Sequence, residues 1–334
     1  MAGMRRQEAR SVSLQLMELP LVSVIIATRN RARVLQRCLN EYAKQSYPRV
    51  EIVVVDNGST DETWSMLSQR DDVTAVRLDT NEKAQALNIA VDRAQGTYCW
   101  RTDDDAYPAS PDTIADAVEH LEAHPTAAVV SGLAINIYEG NSIVGECARA
   151  SELTSPDGHL EHSSFMGCTT LLRRQAVLDA GGFWHDFYNE EQDLALRLLS
   201  NGWKIHWKPK LVTHHLAEFS SATKDMVDAR WQLRVTTRAR LLATYFPRLS
   251  ALVRICAELF IECSAALYKR VRGGVILSTI AASFGEWRRA SADRRWVLSP
   301  SVRRFVLQRT LGVNETLRYY FFRGRAVAKV RLSK

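Results

Sequence analysis

The chain has 334 residues, 46% of them hydrophobic and 24% charged, with a formal net charge of +7. That length allows one large domain or two ordinary ones with ample core, and the composition excludes a disordered or fibrous chain. The charge is uneven: residues 224–334 hold 23 Lys/Arg against 7 Asp/Glu, so the preceding part is acidic and composition alone sets a boundary near residue 220.

The six cysteines (Cys38, Cys99, Cys147, Cys168, Cys256 and Cys263) form no Cys-x-x-Cys pair and have no histidine at zinc spacing. They read as buried free thiols in a reducing compartment. The N-terminal residues carry arginines but no apolar core with a cleavage site, and no apolar run approaches the ~18 residues of a membrane span. A cytoplasmic location is therefore the expectation.

Val22-Ser23-Val24-Ile25-Ile26-Ala27 is β-branched and apolar, the pattern of a parallel strand buried on both faces. It ends in the polar run Thr28-Arg29-Asn30-Arg31. A helical period follows in Val34, Leu35, Cys38, Leu39 and Tyr42, until Tyr47-Pro48 breaks it. Glu51-Ile52-Val53-Val54-Val55 is a second strand running into Asp56-Asn57-Gly58-Ser59-Thr60-Asp61-Glu62. Gly58 permits a tight turn there, and Ser59 or Thr60 caps the next helix. Residues 73–78 form a third strand and 84–94 a helix closed by Gly96. Tyr98-Cys99-Trp100-Arg101 is a fourth strand, ending in Thr102 and the triplet Asp103-Asp104-Asp105.

This β-α-β-α-β-α-β order gathers polar residues at strand carboxyl ends, which line the ligand crevice of an open α/β sheet. The triplet has two readings. Three adjacent carboxylates repel one another unless a cation sits among them, and hard oxygen ligands suit Mg²⁺ or Mn²⁺. Alternatively, the triplet is an acidic turn capping a helix that begins near Pro111. Neither GxGxxG nor GxxxxGK[ST] is present, which disfavours dinucleotide-binding and P-loop chemistry.

Residues 112–123 then read as a helix and 127–135 as a strand, with a hairpin turn at Glu139-Gly140-Asn141 and a loop over the crevice at 150–163. Residues 165–172 read as a strand, before a short helix ending at Gly181-Gly182. Asn189 is placed to cap a helix whose first turn holds Glu190, Glu191 and Asp193. That is favourable charge at a helix N-terminus and also a good position for a general base. A strand over 203–213 ends in His214-His215, and a histidine near the acidic triplet is a candidate third metal ligand. Helices at 231–246 and 252–267, an apolar segment from Arg270 to Phe284, several arginine pairs and the cluster Tyr319-Tyr320-Phe321-Phe322-Arg323 complete the chain. Basic amphipathic helices with aromatic residues suit an anionic membrane surface, or pack on the α/β domain with arginines on the wet face.

Six of these stretches in this order resemble the family 2 glycosyltransferases, inverting enzymes of GT-A fold that use nucleotide-sugar donors. They are Val22 to Asn30, Val55 to Asp61, Asn81 with Asn88 ahead of Gly96, Asp103-x-Asp105, Gly181-Gly182-Phe183, and Glu190-Glu191-x-Asp193-Leu194-x-x-Arg197. The similarity covers residues 21–215. It implies an α/β, Rossmann-like fold with a mostly parallel central sheet and helices on both faces. The implied plan is an extension (1–20), a catalytic domain (21–220) with a nucleotide-binding half (21–108) and an acceptor half (109–220), and a basic helical region (221–334).

The resemblance further assigns the donor's base and ribose to Ala27, Thr28, Arg29, Asn30, Asp56 and Asn57, with Asn88 also on the donor side. Lys83 is a phosphate contact or a solvated surface lysine. Asp103 and Asp105 fall on the family's DxD motif: Asp105 binds Mg²⁺ or Mn²⁺, with Asp103 and His214 as further ligands, and Asp103 and Asp104 also touch sugar, ribose or metal-bound water. Glu191 is the catalytic base, with Glu190 and Asp193 as alternatives. The implied reaction moves a hexosyl or deoxyhexosyl group from a nucleotide-diphosphate-sugar to a hydroxyl of a glycan, lipid-linked or small-molecule acceptor. Synthesis of cell-surface polysaccharide or glycolipid, with peripheral contact at the cytoplasmic membrane face through 223–334, is the implied setting. A metal-dependent nucleotidyltransferase would explain the first four strands but not the block from Gly181 to Arg197. A nucleic-acid binder is opposed by the acidic first part and the lack of a helix-turn-helix, RRM or zinc-finger pattern, so no nucleic-acid partner is expected.

Overall fold

The computed structural model describes residues 19–138, 141–144, 158–184, 189–216, 224–268, 271–290 and 297–309. The expected extension up to residue 18, the turn at 139–140, most of the 150–163 loop, the arginine pair at 294–295 and the aromatic cluster at 319–323 lie outside the described residues. The chain divides into two compact units.

The first unit takes in Met1–Glu161, Phe165–His185 and Trp203–Ala217. Its strands are β1 (Val22–Thr28), β2 (Val50–Asn57), β3 (Thr74–Leu78), β4 (Tyr98–Arg101), β5 (Ala106–Pro108), β6 (Ala127–Tyr138), β7 (Asn141–Val144), β8 (Leu160–Glu161), β9 (Thr170–Arg173) and β10 (Lys204–Leu216). They form one sheet in the order β3-β2-β1-β4-β9-β6-β10-β5, with β7 on β6 and β8 on β10. β3, β2, β1 and β4 run parallel, as do β6 and β10, while β9 and β5 run against their neighbours. The helices are α1 (Ala32–Tyr42), α2 (Thr63–Leu67), α3 (Gln85–Arg93), α4 (Thr113–Ala123) and α5 (Arg174–Asp179).

Sequence pattern accounts for most of this. β1 is buried almost throughout, as its unbroken apolar run requires, and α1 turns Leu35, Cys38, Leu39 and Tyr42 into the same core as Val24, Ile26, Val54 and Trp100. β2 and β3 extend the sheet on one side of β1, and β4 returns on the other. The chain therefore reverses direction across the sheet between β1 and β4, the switch point at which ligands bind in open α/β sheets. Thr28 lies level with Asp56 in the register of β1 and β2, and Thr102 prolongs β4 by donating its amide to Ile25 O at 3.3 Å.

Four local expectations are corrected. The acidic triplet does not cap α4: β5 intervenes, and the triplet turns the chain, with the Ala106 amide on Asp103 O at 3.2 Å. Ser59 and Thr60 do not cap α2; Asp61 Oδ1 takes the Thr63 amide at 2.9 Å, while the Ser59 hydroxyl accepts the Asn30 amide at 2.9 Å. The strand expected over 165–172 is a 3-10 turn at Gly167–Thr169 followed by β9. Ser131 on β6 causes this, taking the Met166 amide at 3.0 Å and donating to Thr169 O at 3.2 Å, which folds the segment back before it can join the sheet. β10 runs on through His214 and His215 instead of stopping before them.

The second unit comprises His162–Ser164, Asp186–Gly202 and Glu218–Lys334. It holds α6 (Glu190–Ser200), α7 (Lys224–Tyr245), α8 (Arg248–Tyr268), α9 (Gly273–Ala290) and α10 (Pro300–Arg309). Asn189 does not cap α6 with its side chain; its Nδ2 donates to Thr237 Oγ1 on α7 at 3.0 Å. α7 is not the one-faced amphipathic helix expected, because both α8 and α9 pack on it. Its burial consequently spreads round the helix, from Trp231, Val235 and Leu242 on one side to Thr237, Ala243 and Thr244 on others. Glu262 on α8 accepts both arms of Arg234 (2.9 and 2.7 Å) and the Trp231 indole N–H (3.2 Å), which satisfies a carboxylate only 9% exposed. Among the described residues no helix is long and apolar enough to cross a membrane.

Candidate active site

The carboxyl ends of β1, β2 and β4 bring Thr28, Asp56 and the triplet to one edge of the first unit. Thr28 Oγ1 donates to Asp104 Oδ2 at 2.7 Å. Arg31, beyond the end of β1, sets Nε 3.2 Å from Asp104 Oδ1 and a terminal nitrogen 2.6 Å from Asp105 Oδ2. His215 Nε2 lies 3.2 Å from Asp105 Oδ1, and Arg101 pairs with Asp103 at 2.8 Å. Every carboxylate of the triplet thus faces a cationic or ionisable nitrogen, as crowded like charges demand.

Burial pushes the Asp104 carboxyl up to about 6, against Arg31 and the Thr28 hydrogen bond, with Asp105 and Asp103 adding their repulsion. At Asp105 burial also pushes upward, but the hydrogen bond and charge of His215, with Arg31, outweigh it and hold the carboxyl below its ordinary value. The bond to Asp105 raises His215 in turn. Asp103, Asp105 and His215 each offer one ligand atom, and these atoms lie within 4.8 Å of one another.

His215, not His214, is therefore the imidazole brought to the triplet. His214 pairs with Tyr107 across β10 and β5 and meets its ring edge-on, with centroids 5.4 Å apart. Adjacent residues of a strand face opposite sides of the sheet, so only one of the two can reach Asp105. Arg31 was not singled out by sequence reasoning. Its signal was position alone, one residue past the Ala27-Thr28-Arg29-Asn30 loop.

Two loops form the rim. Asn30 adopts a left-handed backbone (φ 56) and takes the Thr60 amide on Oδ1 at 2.7 Å, while Arg29 Nε donates to Gly58 O at 3.4 Å. The Arg31 amide donates to Thr63 Oγ1 at 3.0 Å. Asp56 is fully buried: its Oδ1 accepts the Ser59 amide at 3.0 Å, and its Oδ2 has no partner among the described residues. An unmatched buried carboxylate oxygen is costly unless a ligand donates to it.

Asn57 and Asn88, both assigned to the donor by resemblance, are occupied elsewhere. Asn57 takes the Glu82 amide at 2.7 Å and donates to Lys83 O at 3.1 Å, holding the loop that leaves Lys83 exposed with φ 51. Asn88 takes the Phe183 amide on Oδ1 at 2.6 Å and donates from Nδ2 to Phe183 O at 2.7 Å. Gly182 is required beside it, since a Cβ there would stand 2.5 Å from Asn88 Oδ1. Asn88 is a clamp on the Gly181-Gly182-Phe183 corner, which explains why the two motifs occur together.

In the second unit, Glu190 and Glu191 open α6 and are half-buried. Asp193 is removed from the alternatives for a base. It is fully buried, with Oδ2 taken by Arg197 at 2.9 and 2.5 Å and Oδ1 by the Tyr245 hydroxyl at 2.7 Å.

Comparison with known proteins bears on the family and the fold. The model of glycosyl transferase family 2 matches residues 23–179, and that of glycosyl transferase family group 2 matches residues 102–284, more than half of the chain. Similar relatives include an uncharacterized glycosyltransferase, RP339, of Rickettsia prowazekii, 28% identical over 167 residues (46% of this chain, 50% of the relative). Another is the poly-beta-1,6-N-acetyl-D-glucosamine synthase of Staphylococcus aureus, 25% identical over 204 residues (58% of this chain, 49% of the relative). The chain spans about half the length of these curated relatives. Among solved structures, the mannosyltransferase PcManGT of Pyrobaculum calidifontis, in complex with GDP-Man and Mn²⁺, aligns with a TM-score of 0.53 at 21% identity, over 91% of this chain and 86% of that one. At that identity the likeness is one of fold, and the fold is GT-A. The chain belongs to the family 2 glycosyltransferases.

Proposed function

We propose that the protein is an inverting, metal-dependent transferase that moves a hexosyl or deoxyhexosyl group from a nucleotide-diphosphate-sugar to an acceptor hydroxyl. The observation that carries this reading is the meeting, at the β1/β4 switch point, of the orphaned Asp56 oxygen with the Asp103–Asp105–His215 cluster. Two carboxylates and one imidazole suit Mg²⁺ or Mn²⁺, and the ion pairs of Arg31 with Asp104 and Asp105 mark the cluster as one that recruits positive charge. A divalent ion bound there supplies Lewis-acid neutralisation of the departing diphosphate.

The chain's own residues do the rest. Asp56 Oδ2 accepts an N–H of the donor's base, the Thr28-Arg29-Asn30 corner positions the ribose, and exposed Lys83 offers its ammonium to phosphate. Glu191 takes the proton of the acceptor hydroxyl as its oxygen attacks the anomeric carbon opposite the leaving diphosphate, so configuration inverts. Its place in the first turn of α6, on a half-buried side chain, supports that role.

The acceptor is a glycan or lipid-linked hydroxyl presented at an anionic membrane face, with the enzyme peripheral on the cytoplasmic side. A specific feature of α8 favours this. Leu249, Val253, Phe260 and Leu267 are spaced to share one face of the helix, and all four are exposed, Leu249 by 75% and Phe260 by 74%.

The test is thermal stability against a panel of nucleoside diphosphates and nucleotide-sugars with and without Mn²⁺. A ligand at a hundred times its Kd adds about 2.7 kcal/mol, so one base should give a metal-dependent rise in Tm that Asp105→Ala abolishes. Glu191→Gln should bind that donor normally yet lose about 10²–10⁴-fold in kcat. No metal-dependent shift with any nucleotide would overturn the donor assignment; near-full activity of Glu191→Gln would overturn the base.

A further inference from the structure

Half of the chain's eight histidines meet at one place in the first unit. His120 lies in the last turn of α4 and His124 just beyond it, His159 precedes β8, and His206 sits on β10 level with Glu161 of β8. One ring nitrogen from each lies within 4.8 Å of the others. His120 Nε2 stands 3.0 Å from His206 Nδ1. The His159 and His206 rings stack at 4.1 Å, and those of His120 and His124 at 4.2 Å.

Two further observations point to a ligand. His206 is 2% exposed, and its Nε2 is a buried polar atom with no partner among the described residues. His124 Nδ1 donates to the carbonyl of His120 at 2.7 Å. That bond fixes the tautomer with the lone pair on Nε2, the second-shell arrangement usual for a metal-bound imidazole.

We propose that His120, His124, His159 and His206 form a closed four-imidazole zinc site, separate from the donor crevice, that ties the end of α4 and the segment entering β8 to β10. Zn–N bonds of about 2.0–2.1 Å in a tetrahedron place ligand nitrogens about 3.3–3.4 Å apart, inside the 4.8 Å within which the four candidate nitrogens already lie. Imidazole nitrogens select zinc over Mg²⁺ or Mn²⁺, which prefer oxygen. Four protein ligands leave no open position, so the ion is structural. His206 and His215 pair with Val130 and Asn136 of β6, six residues apart, on the order of 20 Å along the strand, so the two clusters bind separate ions.

The experiment uses untagged full-length protein and reads metal content, cobalt absorption and Tm. The wild type should keep about one zinc per chain through dialysis. Co²⁺ in its place should give the visible bands of a tetrahedral site. A chelator should lower Tm and added zinc restore it. Asp105→Ala should retain the zinc, whereas the double variant His124→Gln/His159→Gln should lose the zinc and the cobalt bands and melt near the chelated wild type, unmoved by either treatment. Wild-type protein without zinc, without cobalt bands and without a zinc-dependent Tm overturns the proposal. So does zinc that the double variant keeps or that Asp105→Ala releases. Should the double variant fail to fold, the wild-type cobalt spectrum and the chelator response decide the matter.

Discussion

Asp61 illustrates how much one carboxylate can organise. Its Oδ1 takes both the amide and the hydroxyl of Thr63, at 2.9 and 2.6 Å, and the Thr63 hydroxyl in turn receives the amide of Arg31 at 3.0 Å. Burial works against the ionised form, but the Thr63 bonds prevail and hold the carboxyl below its ordinary value. A folded-state pKa below the unfolded one contributes stability that is present above the unfolded value and lost as pH falls through the folded one. Asp61→Ala removes these bonds at the start of α2 and should cost about 1 kcal/mol at neutral pH, a difference whose charge-dependent part is screened at this exposed site and shrinks in strong acid, as paired urea melts across pH would register. The convergence of Asp56, Asp103 and Asp105 on one sheet edge was legible in the sequence, because all three lie at or just past the ends of apolar strands. The bonds of Asn88 to the Phe183 backbone were not legible, since an amide looks the same in sequence whether or not a distant segment meets it.

Among the elements, β10 carries the decisive irregularity. It advances from Trp207 to Val212 while its partner β6 advances only from Ser131 to Leu133. The extra residues include Pro209, which cannot donate to a ladder and is tolerated at such a bulge. Beneath the bulge Gly132 is obligatory. A Cβ there would lie 1.9 Å from Leu211 O, and its carbonyl accepts the Trp207 indole N–H at 3.0 Å. Gly132→Ala should destabilise the first unit by about 3 kcal/mol or more and weaken donor binding, because the bulge sets the register that delivers His215 to Asp105. A Tm and a donor Kd within error of wild type would refute that. The bulge is also why alternation counted along residues 204–216 gives no secure choice between His214 and His215: a strand's two-residue period holds only while pairing is regular.

For the whole molecule, the charge boundary near residue 220 separates an acidic part from a basic helical one. With the exposed apolar face of α8, that asymmetry predicts salt-sensitive sedimentation with vesicles containing anionic lipid and little with neutral ones, at about 1 kcal/mol per Lys or Arg near the surface. Replacing Val253 and Phe260 by Ser should reduce binding without altering Tm. Equal binding to neutral vesicles, or none to anionic ones, would count against the membrane setting. Family membership does not depend on that outcome.

The sequence by itself determined the αβ alternation, the parallel buried strands, the location of the acidic edge and the family, because apolar runs and strand-end acids are local patterns with few alternative readings. Only the tertiary structure decided which histidine meets Asp105, that Arg31 counters Asp104 and Asp105, that Asn57 and Asn88 hydrogen-bond the backbone of distant loops, and that four histidines from three segments share one point. Each of these depends on register, a bulge or a crossing between distant segments, and none of those is encoded in a neighbouring stretch of chain.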